Sequence, residues 1–249
     1  MGNFYTNVTL KTGDRNRVIE FLRSSRREAY VSNPANGFVA ICDAETESQD
    51  EGILCGLASS LSRNFAVPAL AVLNHDDDIL CYYLFDRGSE VDRYNSCPGY
   101  FEGDVQEPDG GDSSLLVQTL GARCTPAELD AILRAAEPAL TGEQMAQMER
   151  IQKDFAVYQE QIKALFAKHP SLLQNPDGPG GAEMKAIQEK IEKEITSKYS
   201  SFAGGGKYAF AVERHTDLIR VLGLPECAVG TGYNYLKEGD APVEEFEHT

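Results

Sequence analysis

Asn74-His75-Asp76-Asp77-Asp78 sets three consecutive carboxylates beside an imidazole and an amide. Hard cations take several oxygen ligands, so such a run could hold calcium, magnesium or manganese, or receive a basic partner. Adjacent residues rarely converge on one ion, however, and the alternating ligand spacing that ends in a bidentate Glu is missing. Asp and Asn also favour turns through local hydrogen bonds, so a solvated turn describes the same residues. The candidate ligands are therefore His75, Asp76 and Asp78, with Asp43 as a separate carboxylate at the end of an apolar strand, where metal-assisted hydrolysis would place one. Asp43 is followed by Glu45, Glu47, Asp50 and Glu51, and acidic residues around a first helical turn equally complement a helix N-terminus.

Asn95-Ser-Cys-Pro-Gly-Tyr-Phe101 follows a strand pattern, and Cys97 is the one cysteine outside an apolar run that also lies near a tip. A thiol nucleophile needs a base, and His75 is the only histidine in the sheet region, which makes Cys97 with His75 a candidate pair. Without an electropositive surround a lone cysteine is rarely reactive. A small-molecule pocket between the sheet and the C-terminal segment would draw on Tyr94, Asn95, Cys97 and Tyr233, with Tyr100 and Tyr235 as further walls. Gly204-Gly-Gly-Lys207 lacks the phosphate-loop spacing and no apolar strand precedes it, so it reads as a connector, and no cofactor motif is present. Gly230-Thr-Gly232 reads as an irregularity in a strand, and His215, beside Arg214 and Asp217, as a surface residue.

The chain has 249 residues, enough for one large domain or a domain with an elaboration. Its 39 Asp and Glu face 23 Lys and Arg, a formal charge of −16, which repels phosphate backbones and disfavours nucleic acid and anionic membrane as partners. Basic proteins and cations suit such a surface. No apolar run approaches bilayer length and no basic-then-apolar leader opens the chain, so a soluble, cytoplasmic protein is expected. Six cysteines without a C-x-x-C pair fit small buried hydrophobes in a reducing compartment rather than a zinc site.

The positioning elements follow from hydrophobic periodicity. Phe4 to Leu10 alternates as a half-buried strand; helices are expected over about 14–26 and 49–65, the second capped by Ser48 and Glu51; strands are expected at 29–32, 38–42, on either side of the 74–78 tip, and at 90–95. Residues 4–73 thus read β-α-β-β-α-β, an α+β, ferredoxin-like core with an extended antiparallel sheet and both helices on one face. Residues 98–114 read as an irregular acidic loop, and Thr125 with Glu128 forms a capping box with Pro126 at the first helical position. Apolar stripes from Met145 to Leu165 and from Met184 to Tyr199 predict an inserted antiparallel helical hairpin. Residues 208–222 then predict a helix, and 227–235 a final strand. The expected division is a sheet domain 1–124, a helical segment 125–206 and a returning segment 207–249.

The segments V-L-N-H-D-D-D-I-L (72–80) and D-R-Y-N-S-C-P-G-Y-F (92–101), with L-G-L-P and A-V-G-T-G-Y-N-Y within 222–235, resemble a pattern found in a family of bacterial proteins of uncharacterised activity. The resemblance implies no activity, substrate or catalytic residue, and it makes residues 141–206 an insertion peripheral to the shared domain. Three functions follow as expectations: a non-catalytic binding or regulatory module that engages a basic protein through the acidic surface, a metal-assisted hydrolase using Asp43 or His75 to Asp78, and a small-molecule sensor.

Overall fold

A computed structural model describes residues 2–102, 107–135, 158, 161–169, 180–187, 190, 208 and 210–249. The chain divides into two compact units, Met1–Ala136 with Phe210–Thr249, and Glu137–Ala209.

The first unit runs β1 (Tyr5–Leu10), α1 (Arg15–Ser24), β2 (Ala29–Ser32), β3 (Val39–Asp43), a 3-10 turn (Glu45–Ser48), α2 (Glu51–Phe65), β4 (Ala69–His75), β5 (Ile79–Asp86), β6 (Ser89–Asn95), β7 (Asp109–Gly110), α3 (Ser113–Leu120), α4 (Pro126–Leu133), α5 (Ala211–Leu222), α6 (Tyr233–Glu238) and β8 (Phe246–His248). It is a mixed α+β arrangement around one antiparallel eight-stranded sheet, ordered β7-β6-β5-β4-β1-β3-β2-β8. Alternate residues of a strand face opposite sides. On one face Val8, Leu10, Val39, Ile41 and Ala71 meet Val18, Ile19 and Leu22 of α1 and Leu54, Leu57 and Leu61 of α2.

The other face of the sheet is also covered, which the alternation in Phe4 to Leu10 does not announce. All of β1 is buried, including Thr6, Asn7 and Thr9. Asn7 turns its amide to the carbonyls of Ala228 (2.7 Å) and Thr231 (3.0 Å), and Tyr5 stacks on His215 of α5 at 5.7 Å. The expected strand over 227–235 is replaced by a 3-10 turn at Glu226–Ala228 and helix α6. Gly230 takes a positive φ of 65° and Gly232 caps α6, so this segment bends across the sheet face instead of joining its edge. The last strand is β8, paired with β2.

His215, expected at the surface, is wholly buried, and so is its neighbour Arg214. Arg214 donates to the carbonyls of Ile132 (2.7 Å), Leu133 (3.1 Å) and Ala135 (2.9 Å), and to the Tyr94 hydroxyl (3.0 Å). It thereby satisfies carbonyls that the end of α4 leaves without helical partners. Helix α3 occupies part of the stretch expected to be irregular, capped by Asp112. The cap of α2 is Asp50, which accepts from the Ile53 amide, in place of the expected Ser48 and Glu51 box, whereas the Thr125 and Glu128 box forms as expected.

Because α4 packs on α3 and α5, the sheet unit extends to Ala136. In the second unit residues 161–168 and 181–187 are helical, Lys168 lies 3.9 Å from Glu183, and Lys190 stands over the Tyr158 ring at 5.6 Å. The expected long helices over 141–170 and 184–199 and their hairpin fall mostly outside the described residues. Within the first unit the Arg214 side chain reaches the Ala135 carbonyl, and α4 packs on α5, so the described segments on either side of the insertion are neighbours. Replacing residues 138–208 by a short Gly-Ser linker is expected to leave one cooperative thermal transition, because loop closure adds little cost when the ends are adjacent. A broad, non-cooperative melt of that variant would show that the sheet unit depends on the insertion.

Candidate functional site

At one end of the sheet, strands β4, β5 and β6 end in side chains that share the α2 face. His75 pairs with Ile79, Leu73 with Cys81, and Cys81 with Asn95, and residues paired across a sheet point to the same side. These side chains floor a groove of about 760 Å³. One wall is the 3-10 turn with the first residue of α2, contributing Glu47, Gln49 and Glu51; the other is the segment from Cys97 to Phe101; Phe4 closes the end. Phe101 is 73% exposed and Phe4 43%, so large apolar rings stand in solvent at the mouth.

His75 sits among these rings. Its imidazole meets Phe4 at 4.9 Å, Phe101 at 5.2 Å and Tyr100 at 6.4 Å, each edge to face. Its Nδ1 lies 2.6 Å from Oε1 of Gln49, whose Nε2 donates to the Asn74 carbonyl at 2.8 Å. Gln49 reaches both because its backbone is left-handed, with φ 55°. Tyr100 donates to Asp78 at 2.6 Å, and that bond, followed by burial, pushes the phenol up to about 12. Among the described lining residues, the charged side chains are Glu47 and Glu51, with no Lys or Arg. Glu51 is 3.2 Å from Arg93. Glu47 accepts from the Tyr233 amide at 2.7 Å; burial raises its pKa and the backbone donors pull it back down.

The acidic tip is a hairpin turn that ties down the neighbouring segment. Asp76 and Asp77 both take positive φ, 54° and 60°, and Asp78 donates its amide to the His75 carbonyl at 3.0 Å, which gives a primed turn within the three-residue loop between His75 and Ile79. Asp76 accepts from the Gly2 amide (3.0 Å), while Asp77 accepts from the amide (3.1 Å) and side chain (2.9 Å) of Asn3 and from Asn74 (3.2 Å). Asp43 lies two strands away from β4 and is buried in a bidentate pair with Arg27 (2.8 and 2.5 Å), also accepting from the Glu45 and Thr46 amides. Among the described residues no three His, Cys, Asp or Glu side chains are grouped so as to hold a metal ion.

Cys97 and Asn95 do line the groove with His75. His75 ends β4, whereas Cys97 lies two residues beyond the end of β6, and β5 runs between those two strands. Tyr94 faces the opposite side of β6, stacked on Tyr82 at 5.4 Å and donating to the Leu133 carbonyl at 2.8 Å. Tyr233 belongs to α6, against Tyr30 at 5.3 Å, and Tyr235 accepts from the Phe4 amide at 3.1 Å. Of the tyrosines expected to wall one pocket, only Tyr100 reaches this groove. Sequence reasoning missed Phe4, Glu47, Gln49 and Phe101 as lining residues. Phe101, an apolar ring closing a run of turn formers, carried the one available signal.

Compared with protein-family models, curated proteins and solved structures, the chain matches none.

Proposed function

We propose that this chain is a binding module that captures a basic segment of a partner protein, seating one cationic side chain in the groove between Phe4, His75, Tyr100 and Phe101. The observation that carries the reading is that ring of aromatic faces and edges around a groove whose described charged lining is Glu47 and Glu51. A cation over aromatic rings gains about 0.5–2 kcal/mol, and Glu47 and Glu51, although already paired with the Tyr233 amide and Arg93, leave the described lining without an unpaired positive charge. The chain's charge of −16 favours the approach of such a partner. Exposed Phe101 and Phe4 supply apolar contact area of the kind that interfaces concentrate. The commitment of each tip carboxylate to a neighbouring donor and of Asp43 to Arg27 favours this reading over metal-assisted hydrolysis.

Within the fold, we read β4-β1-β3-β2 with α1 and α2 as a ferredoxin-like core that β5 to β8 extend. Six cysteines, none of them in a disulfide, are consistent with residence in a reducing cytoplasm.

Titration of the protein with a fluorescent nonapeptide of Gly and Ser carrying three spaced Lys is expected to give micromolar affinity that weakens as salt rises. The same peptide with Gln at each Lys is expected not to bind. The Phe4→Ala, Phe101→Ala double variant should lose about tenfold, the scale of about 1.4 kcal/mol. Equal binding of the Lys and Gln peptides would sink the proposal.

A further inference from the structure

Resting on that reading, we infer that His75 is the groove's specificity determinant, selecting the primary ammonium of a lysine through a hydrogen bond from its N–H to Nε2, and rejecting the trimethylated form. The tautomer follows from the chain of contacts. The Asn74 carbonyl can only accept, so the Gln49 nitrogen at 2.8 Å from it is the donor, and this fixes the amide orientation. Oε1 of Gln49 therefore faces Nδ1 of His75 at 2.6 Å, and an amide oxygen can only accept as well. Nδ1 must carry the proton, which leaves a lone pair on Nε2 of the neutral ring. Among the described residues no hydrogen bond is made to that nitrogen, and the ring lines the groove, half-buried.

The rings of Phe4, Phe101 and Tyr100 would accommodate any cation, methylated or not. Among the rings the imidazole lone pair distinguishes them, since a primary ammonium has three donors and a trimethylammonium none, while the nearby acceptors Glu47 and Glu51 are already engaged by the Tyr233 amide and by Arg93. A site built around a hydrogen-bond acceptor discriminates against a ligand that lacks the donor, because the acceptor is then desolvated without a partner. His75 is thus the polar handle of an otherwise aromatic cage.

The experiment uses the full chain and three nonapeptides of Gly and Ser with a single central Lys, trimethyl-Lys or norleucine. Wild type should bind the Lys peptide at least fivefold more tightly than the trimethyl-Lys peptide, with norleucine weakest. His75→Phe keeps an aromatic wall without the lone pair and should bring the Lys to trimethyl-Lys ratio to about one while retaining both. Gln49→Asn tolerates the left-handed backbone but is too short to span from Asn74 to His75, and should narrow the ratio in a chain that keeps its own imidazole. Long-range proton–nitrogen NMR of the ligand-free protein should show His75 protonated at Nδ1. An Nε2-protonated ring, or a ratio unchanged in His75→Phe, overturns the role of His75 and leaves the groove reading standing. Failure of all three peptides to bind overturns both. Tighter binding of free butylamine than of the Lys peptide would assign the groove to a small amine and overturn the choice of a lysine-bearing partner.

Discussion

Arg27→Met is expected to destabilise the protein by about 3 kcal/mol, the lower end of what breaking a buried ion pair costs. Asp43 is 1% exposed and accepts from Nε and Nη2 of Arg27, at 2.8 and 2.5 Å, so removing the cation strands a buried carboxylate. The lower end applies because the Arg27 side chain keeps 18% of its exposure, so water reaches part of the site. Equilibrium urea unfolding measures the loss. Arg27→Met combined with Asp43→Asn should recover about half of it, since the new side-chain amide still offers an oxygen to the Glu45 and Thr46 N–H groups while the unpaired charge is gone. A loss below about 1 kcal/mol would mean that the pair behaves as a solvated surface contact.

Acidification is expected to weaken the fold through His215. Complete burial lowers its pKa from 6.5 to about 3, its Nδ1 is 2.7 Å from the Tyr5 hydroxyl, and its Nε2 is buried without a partner among the described residues. Within that hydrogen-bonded network the nearest carboxylate is Asp77, reached through Tyr5 and Asn74, while adjacent Arg214 is turned to the end of α4. Below pH 6.5 the unfolded chain binds a proton that the folded chain refuses, so stability falls as pH drops from about 6.5 towards 3 and is unaffected above that window. At pH 4.5 the loss from this residue alone is about 2 to 3 kcal/mol. Glu47, whose pKa is raised by burial, contributes in the opposite direction over part of the same range, so the comparison must be made between variants. His215→Gln, which can still bond Tyr5, should lose correspondingly less stability than wild type between pH 7 and 4.5 in urea melts. Parallel pH profiles for the two proteins would show that the folded ring takes up a proton.

Much of the fold is legible in local patterns because those patterns are local physics. The apolar runs on either side of Asp76 to Asp78 require a hairpin whatever else surrounds them, and β4 and β5 form there. Thr125, Pro126 and Glu128 satisfy one helix start among themselves, so α4 begins where the residues say. The segment 227–235 misleads for the opposite reason. Its apolar residues are buried, but by folding over the second face of the sheet, and the bend depends on the positive φ of Gly230 and the cap at Gly232, which the run of residue types does not distinguish from a strand irregularity. His215 and Arg214 misread likewise: polar neighbours in a helix look solvent-facing until a sheet strand supplies Tyr5 and a helix end supplies three carbonyls.

The groove lies at the same divide. Sequence by itself determined that 74–78 is an acidic turn, that an α+β sheet with helices forms, and that the chain carries a formal charge of −16. The tertiary structure alone decided that the tip's carboxylates are consumed by Gly2, Asn3, Asn74 and Tyr100, that Asp43 is locked to Arg27, and that Phe4, Gln49, His75 and Phe101 meet. The reason is distance along the chain. Turns, caps and alternation are settled among residues within a few positions of one another, whereas a binding site joins side chains up to 97 positions apart, from Phe4 to Phe101, whose meeting depends on strand order and register.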